Sequence, residues 1–481
     1  MKEDSMKNAR ALKQIVLNAH IKDLQTMYEQ QFITPSMVVE IYRNHIKQSN
    51  ETVNAVVEHR FAEAVKEVEQ LVETNENDVR RLVGIPFLIK EMFDMKGMKT
   101  TGGLLHRAQH VATEDAAIVK KLKDEGAIIL GKTNTPELSF CQETENKLYG
   151  RTNNPRDLAK TAGGSSGGEA AAIAIGAAAA GIASDIGGSI RFPAHFNGVI
   201  GFKSGSHQVD STGAFPATTD PLQERMLGIG PITKSVRDAR FVYQLIAEEK
   251  MPATYLKDFT INILPKTEYP LSKWTAILLK EVYKRLRNDF LVERKIPPYF
   301  HQSTMMWQEI MSINGGEMAK QHLYEPTTAF LYKDFLKEKM MKKGQHHAYL
   351  TWALIAANLF KPSKRQLRSL TKKITKGDAL LNDYLAKRIL IFPVYHSPAQ
   401  PHGAIYNELF SIRKTFRKYM PYIAYANVWG LPALTIPIGK NRKGMPIAIQ
   451  LMSKNGNEDA LFQLGAIIER EFLGYERAEL Q

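Results

Sequence analysis

Three serines lie in two glycine-rich turns, Gly163-Gly164-Ser165-Ser166-Gly167-Gly168 and Asp185-Ile186-Gly187-Gly188-Ser189-Ile190-Arg191. By residue type and spacing they are the groups of this chain best suited to chemistry. A serine hydroxyl serves as nucleophile or proton relay, and glycine lets backbone N–H groups approach a ligand closely. The turns frame Glu169 to Ser184, a stretch of mostly Ala, Ile and Gly whose only charge before Asp185 is Glu169. Two such turns bracketing one alanine-rich helix point to an assembled site.

Other motifs fit by letter and fail on context. Gly126, four residues, then Gly131-Lys132-Thr133 matches a phosphate-binding loop. The intervening Ala-Ile-Ile-Leu reads as a strand, where a loop of N–H groups is needed. Gly163-x-Ser165-x-Gly167 matches a nucleophile elbow, which requires a strand before it and a catalytic histidine after it. Asp157 to Ala162 makes a poor buried strand, and no downstream histidine sits in a context that marks it. No His/Cys/Glu cluster has metal-ligand spacing, and His346-His347 are expected at the surface.

The elements that must position the serines read as an α/β core. Thr34-Pro35 is a helix cap with proline at the first helical position, followed by apolar residues at helical spacing from Met37 to Ile46. Gly84 to Ile89 and Ala127 to Leu130 read as buried strands, and Glu114 to Glu125 as an amphipathic helix. Such alternation argues helices covering a sheet. We expect N-terminal helices over 1–75, the core with the serines over 76–250, a helical basic insertion over 251–388, and a return to the core over 389–481. The last part carries strand-like runs at Leu431 to Pro437 and Ile447 to Met452, and a helix from Glu458 to Phe472.

Bulk properties narrow the class. The chain has 481 residues, 44% of them hydrophobic and 24% charged, as in soluble globular proteins. A single cysteine, Cys141, excludes an intrachain disulfide and fits a reducing compartment. The start shows no apolar signal run and no segment nears the length of a membrane span, so the expectation is cytoplasmic. To Arg240 there are 29 basic and 29 acidic residues, so the whole net charge of +14 falls in the second half. It gathers over Lys333 to Lys376, with a dozen Lys/Arg against two acids. A solvated helical surface is the plain reading, an anionic membrane surface the sharper one. No nucleic-acid module accompanies the charge, so no nucleic-acid partner is expected. Within this region Tyr349 to Phe360 is an apolar run followed by Lys361-Pro362-Ser363-Lys364-Arg365. It is either a buried helix with a charged end or a segment docking at an interface.

Several long elements in order resemble the amidase signature family. They are Gly84-Ile85-Pro86-Phe87-Leu88-Ile89-Lys90, the Gly163–Gly168 cluster, Ser184 to Pro193, and Gly198-Val199-Ile200-Gly201-Phe202-Lys203. Asn146 to Pro155 and Phe196-Asn197-Gly198 are most similar to fatty-acid amide hydrolases of the second type. The chain departs from the family at Ser204-Gly205, where Pro-Thr is usual.

The resemblance implies an α/β/α core around a twisted mixed sheet with a helical insertion, and a Ser–Ser–Lys triad. Ser189 is then the nucleophile, Ser165 an intermediary at a cis peptide, and Lys90 the base. A lysine serves as base only when neutral; making it half neutral near pH 7.5 requires roughly 4 kcal/mol of destabilised charge, which burial supplies. The N–H groups of Ile186, Gly187, Gly188 and Ser189 are implied as the oxyanion hole, Ser166, Asp185 and Arg191 as their support, and Ser139 as a substrate-lining residue. No cofactor or metal is implied. The expected substrate is a carboxylic amide, with fatty-acyl amides and an acyl-enzyme as the finer reading; the alternative is the amidase subunit of a glutamine-dependent tRNA amidotransferase acting with a partner. A homo-oligomer and peripheral contact with an anionic membrane stay open.

Overall fold

The apolar runs become the middle strands of one sheet. The computed structural model describes residues 2–72, 80–265, 267, 269–323, 328–410 and 417–480. The expected boundary at 75/76 lies outside them. Among the described residues the main sheet has eleven strands. They are β1 (Val56–His59), β2 (Pro86–Lys90), β3 (Ile128–Thr133), β4 (Ala180–Asp185), β5 (Ile200–Lys203), β6 (Gly228–Thr233), β7 (Thr260–Ile263), β8 (Val292–Glu293), β9 (Arg388–Pro393), β10 (Ala433–Lys440) and β11 (Pro446–Met452). Their order is β1-β3-β2-β4-β6-β5-β10-β11-β9-β7-β8. β2 runs parallel to β3 and β4, while β4, β6, β5, β10, β11 and β9 pair antiparallel in turn. The sheet is therefore mixed, as expected.

Every residue of β2 to β6 is buried, which requires cover on both faces. The expected strands, the Glu114–Glu125 helix (Ala117–Asp124) and the last helix (Glu458–Glu471) all form, within a few residues. Thr34 caps the helix Pro35–Val53, its hydroxyl accepting from Met37 N–H at 3.3 Å. The alanine-rich stretch divides into the helix Gly167–Ala174 and strand β4, so each serine turn ends at one of these two buried elements. That helix packs on β3, β2, β4 and β6.

Over 251–388 two readings differ from the structure. The segment 251–388 is not wholly an insertion, because β7 and β8 from its first part extend the main sheet beside β9. His346 and His347, expected at the surface, are largely buried beneath the insertion helices Thr328–Met341 and Ala348–Leu359. They answer to tertiary packing that the polar residues around them do not reveal. Asp157–Thr161 does form a strand, paired with Asn153–Asn154 in a ribbon outside the main sheet.

Small residues let the helix Gly167–Ala174 sit close to its neighbours. A Cβ on Gly168 would press on the Asn134 nitrogen and lie 2.7 Å from the carbonyl oxygens of Ala55 and Asn134, all backbone atoms that cannot swing aside. Gly168→Ala is expected to destabilise the protein by about 1–3 kcal/mol. Urea unfolding checks it, with a lowered midpoint at unchanged slope as the expected result.

Candidate active site

Lys90 is the last residue of β2 and is fully buried. The parallel pairing with β3 and β4 walls it in, and its Nζ donates to Ser165 Oγ at 2.7 Å and to Ser184 Oγ at 3.1 Å. Burial lowers its pKa from 10.5 to about 7, against the opposing pull of Asp185, Glu169 and Glu91. An amine of that kind is neutral in a substantial fraction near pH 7, so it can accept a proton. Ser165 follows a cis Gly164–Ser165 peptide bond. A Cβ at Gly164 would lie 2.6 Å from the Cys141 carbonyl oxygen, so glycine is required for this backbone to pass.

The second serine is presented by a turn built on Asp185, the last residue of β4. Its carboxylate accepts N–H bonds from Gly188 (2.8 Å) and Ile190 (3.1 Å) and is gripped by Arg191 Nε (2.9 Å) and a terminal guanidinium nitrogen (3.0 Å). Burial opposes its charge, but the charge and hydrogen bonds of Arg191, with Lys203 and Asn427 adding, hold it well below the usual carboxylate range. Arg191, itself fully buried, also reaches the Ile423 carbonyl and Gln450, fixing the turn to the C-terminal part of the chain. Gly188 has φ +103°, a left-handed backbone that favours glycine, and a Cβ there would meet Phe192 at 2.5 Å. Ser166 N–H donates to the Ser189 carbonyl at 3.2 Å and so ties the two serine turns together.

Ser165, Ser184 and Ser189 open onto a cavity of about 600 Å³, with Lys90 behind them. Its walls are largely apolar, formed among others by Leu138, Phe140, Trp307, Met311, Trp352 and Phe360. Ser139, expected at the substrate, lies on this wall, its hydroxyl 3.0 Å from that of Thr135. Ile186, Gly187 and Ser189 also line it. The expectation for Gly188 needs correction: its N–H already donates to Asp185 Oδ1, so it is not available to an anion. The apolar run Tyr349 to Phe360 is the helix Ala348–Leu359, and it forms part of the cavity wall through Trp352, Ala353 and Ala356.

The wall that carries Ser139 is bolted to the insertion. Glu137 accepts from His347 N–H (2.9 Å), its own N–H donates to the Tyr349 hydroxyl (2.6 Å), and Lys147 pairs with Glu338 at 2.6 Å. Burial pushes the Glu137 carboxyl up to about 8 and lowers His346 to about 4, so both stay largely uncharged at neutral pH. Ser184, Met92 and Trp307 are site residues beyond those the motifs point to. Ser184 contacts Met92 Sδ (2.9 Å) as well as Lys90, and its place directly before Asp185 was the available signal. Trp307 donates from Nε1 to the Ile186 carbonyl at 2.9 Å from 121 positions away, and nothing local marks it.

A family model described as Amidase matches residues 37–462. The chain belongs to the amidase signature family. Fatty-acid amide hydrolase 2 of Homo sapiens is 29% identical over 474 residues, spanning 91% of this chain and 86% of that protein. A glutamyl-tRNA(Gln) amidotransferase subunit of Prochlorococcus marinus (strain MIT 9211) is 30% identical over 413 residues, spanning 80% and 82%. Among solved structures, 6-aminohexanoate cyclic dimer hydrolase complexed with substrate superposes with a TM-score of 0.81 at 21% identity, covering 96% of this chain and 99% of that one. That likeness is one of fold. Membership of the family makes this amidase a hydrolase acting on amides.

Proposed function

We propose that this amidase hydrolyses carboxylic amides, fatty-acyl amides among them, through an acyl-enzyme on Ser189. The observation that carries the reading is the buried Lys90 amine 2.7 Å from Ser165 Oγ, at the serine-lined floor of an apolar cavity. Ser165 gives its hydroxyl proton to Lys90 and takes that of Ser189, whose oxygen attacks the amide carbon. The carbonyl oxygen gains charge against the N–H groups of Ile186, Gly187 and Ser189, donors worth a few kcal/mol each in a dry site. Lys90 returns the proton through Ser165 to the leaving nitrogen, and the C–N bond breaks to leave acyl-Ser189. Water then adds by the same steps and releases the acid. The apolar walls suit a hydrocarbon acyl chain. A component of a tRNA amidotransferase is the second reading, favoured by the 30% identity to one. Amide cleavage by the purified chain alone separates the two.

Intact mass after exposure to a lipid-like fluorophosphonate tests the mechanism. One adduct is expected, absent in Ser189→Ala and formed at least about a hundredfold more slowly in Lys90→Ala. The sign of the pH dependence follows from the lowered lysine: labelling rises with pH through about 7, as Lys90 loses its proton. No adduct on the folded wild type, or an adduct that survives Ser189→Ala, overturns the assignment.

The same reading includes docking at an anionic lipid surface. No helix among the described residues is long and apolar enough to cross a membrane. The insertion nonetheless exposes Phe330, Leu336, Met340, Met341, Leu359 and Phe360, interspersed with Lys337, Lys342, Lys343, Lys361 and Lys364. Apolar side chains ringed by lysine bind anionic interfaces, and Phe360 belongs also to the cavity wall. Changing Lys337, Lys342, Lys343 and Lys364 together to Glu is expected to abolish sedimentation with phosphatidylglycerol vesicles while sparing turnover of a small soluble amide. Unchanged sedimentation would sink this part of the reading.

A further inference from the structure

The proposed mechanism leaves a buried carboxyl on the serine-turn helix unused. Glu169, the only ionisable residue between Ser166 and Asp185, is fully buried on the helix that starts at the first serine turn. Its Oε2 accepts from Thr133 Oγ1 at 2.5 Å, and its Oε1 has no hydrogen-bond partner among the described residues. A Cβ added at Gly181 would collide with that carboxyl, so the missing side chain at 181 is the space in which it sits.

The sheet register places this carboxyl. β2 lies between β3 and β4, with Thr133 paired to Lys90 and Gly181 paired to Leu88. Residues paired in register present the same face, and Leu88 and Lys90 share theirs by the two-residue period. A carboxyl that touches Thr133 on one side and Gly181 on the other therefore spans β2 on the face that carries the Lys90 side chain.

Three carboxyls act on Lys90, and two of them are engaged elsewhere. Asp185 is gripped by Arg191, with Lys203 also nearby. Glu91 accepts from Thr101 and Gly102 N–H and feels the charge of Lys132. For Glu169 the cation that matters is Lys90 itself.

We propose that Glu169 is a positioning residue of this reaction, its carboxylate the counter-charge that steadies the Lys90 ammonium formed when the proton of Ser189 arrives. The inference rests on Lys90 being the base. Burial pushes the carboxyl up to about 8, while Thr133 and Lys90 pull it down. It therefore ionises in the range where Lys90 is neutral, and an arriving ammonium favours its charged form further. Above about pH 8, where the carboxyl is already ionised, the protons balance simply: the Ser189 O–H breaks, an N–H forms on Lys90 by way of Ser165, and Glu169 neither gives nor takes a proton.

The test is the rate of fluorophosphonate acylation of Ser189 from about pH 5 to about pH 10, in wild type, Glu169→Gln, Thr133→Val and Lys90→Met. Gln keeps the shape and removes the charge, so the further rise in rate that follows ionisation of the carboxyl at about 8 should be lost, while the acid limb, the rise through about 7, remains. At about pH 9 Glu169→Gln should acylate about tenfold more slowly than wild type, and at about pH 6 within about twofold of it. Thr133→Val, which withdraws the bond that favours the charged carboxyl, should move the upper rise to higher pH, and it decides alone if Glu169→Gln does not fold. A wild-type profile with no rise near 8, or an upper rise unchanged in both variants, overturns the proposal and leaves Glu169 a packing residue. Lys90→Met separates the two levels. If it abolishes the limb, the lysine base stands whatever Glu169 does; if the limb persists, the base and this inference fall together.

Discussion

The structure depends on a lysine amine kept out of water and kept hydrogen-bonded. Moving Lys90 from 10.5 to about 7 corresponds to roughly 5 kcal/mol of destabilised charge, a large share of the stability of an ordinary domain. The protein holds this strain because Lys90 lies at the end of a central strand with neighbours on both sides. An exposed lysine with the same serines nearby would stay charged and could not act as a base.

From that constraint the other features follow. The neighbouring strands must be covered on both faces, so β2 to β6 are buried throughout. The helix that brings Ser165 to the amine must pack closely, so six of its eight residues are Gly or Ala. The turn that presents Ser189 must hold its shape without a rigid side chain at the reacting face, so its anchor is the Asp185–Arg191 pair behind it. Removing one partner of such a buried pair leaves an uncompensated charge, typically a loss of 3–5 kcal/mol. The pair therefore fixes geometry more than it adds stability.

Much of this was legible from residues, and the reasons for the rest are physical. Local rules placed the Thr34 cap, the two buried runs and the serine turns, because caps, apolar runs and glycine turns are decided by near neighbours. Lys90 and Ser165 are 75 positions apart, and their contact came from family resemblance, since no periodicity links them. The Gly188 donor was misassigned because an N–H can bind only where its own turn leaves it free, and Asp185 claims it. His346 and His347 were misplaced because neighbouring polar residues say nothing of the helices that fold over them. β7 and β8 were hidden in a charged, helix-rich segment because strands of four and two residues carry weak patterns.

The central claim is the neutral lysine, and it can be seen without turnover. The measurement is a pH titration of the lysine Cε resonances by carbon NMR, with Lys90 assigned by the signal lost in Lys90→Met. Assignment matters because burial also lowers Lys203 and Lys234 to about 7. The account predicts that the assigned resonance titrates near 7. A resonance that stays protonated to about 10, the ordinary lysine value, would contradict it.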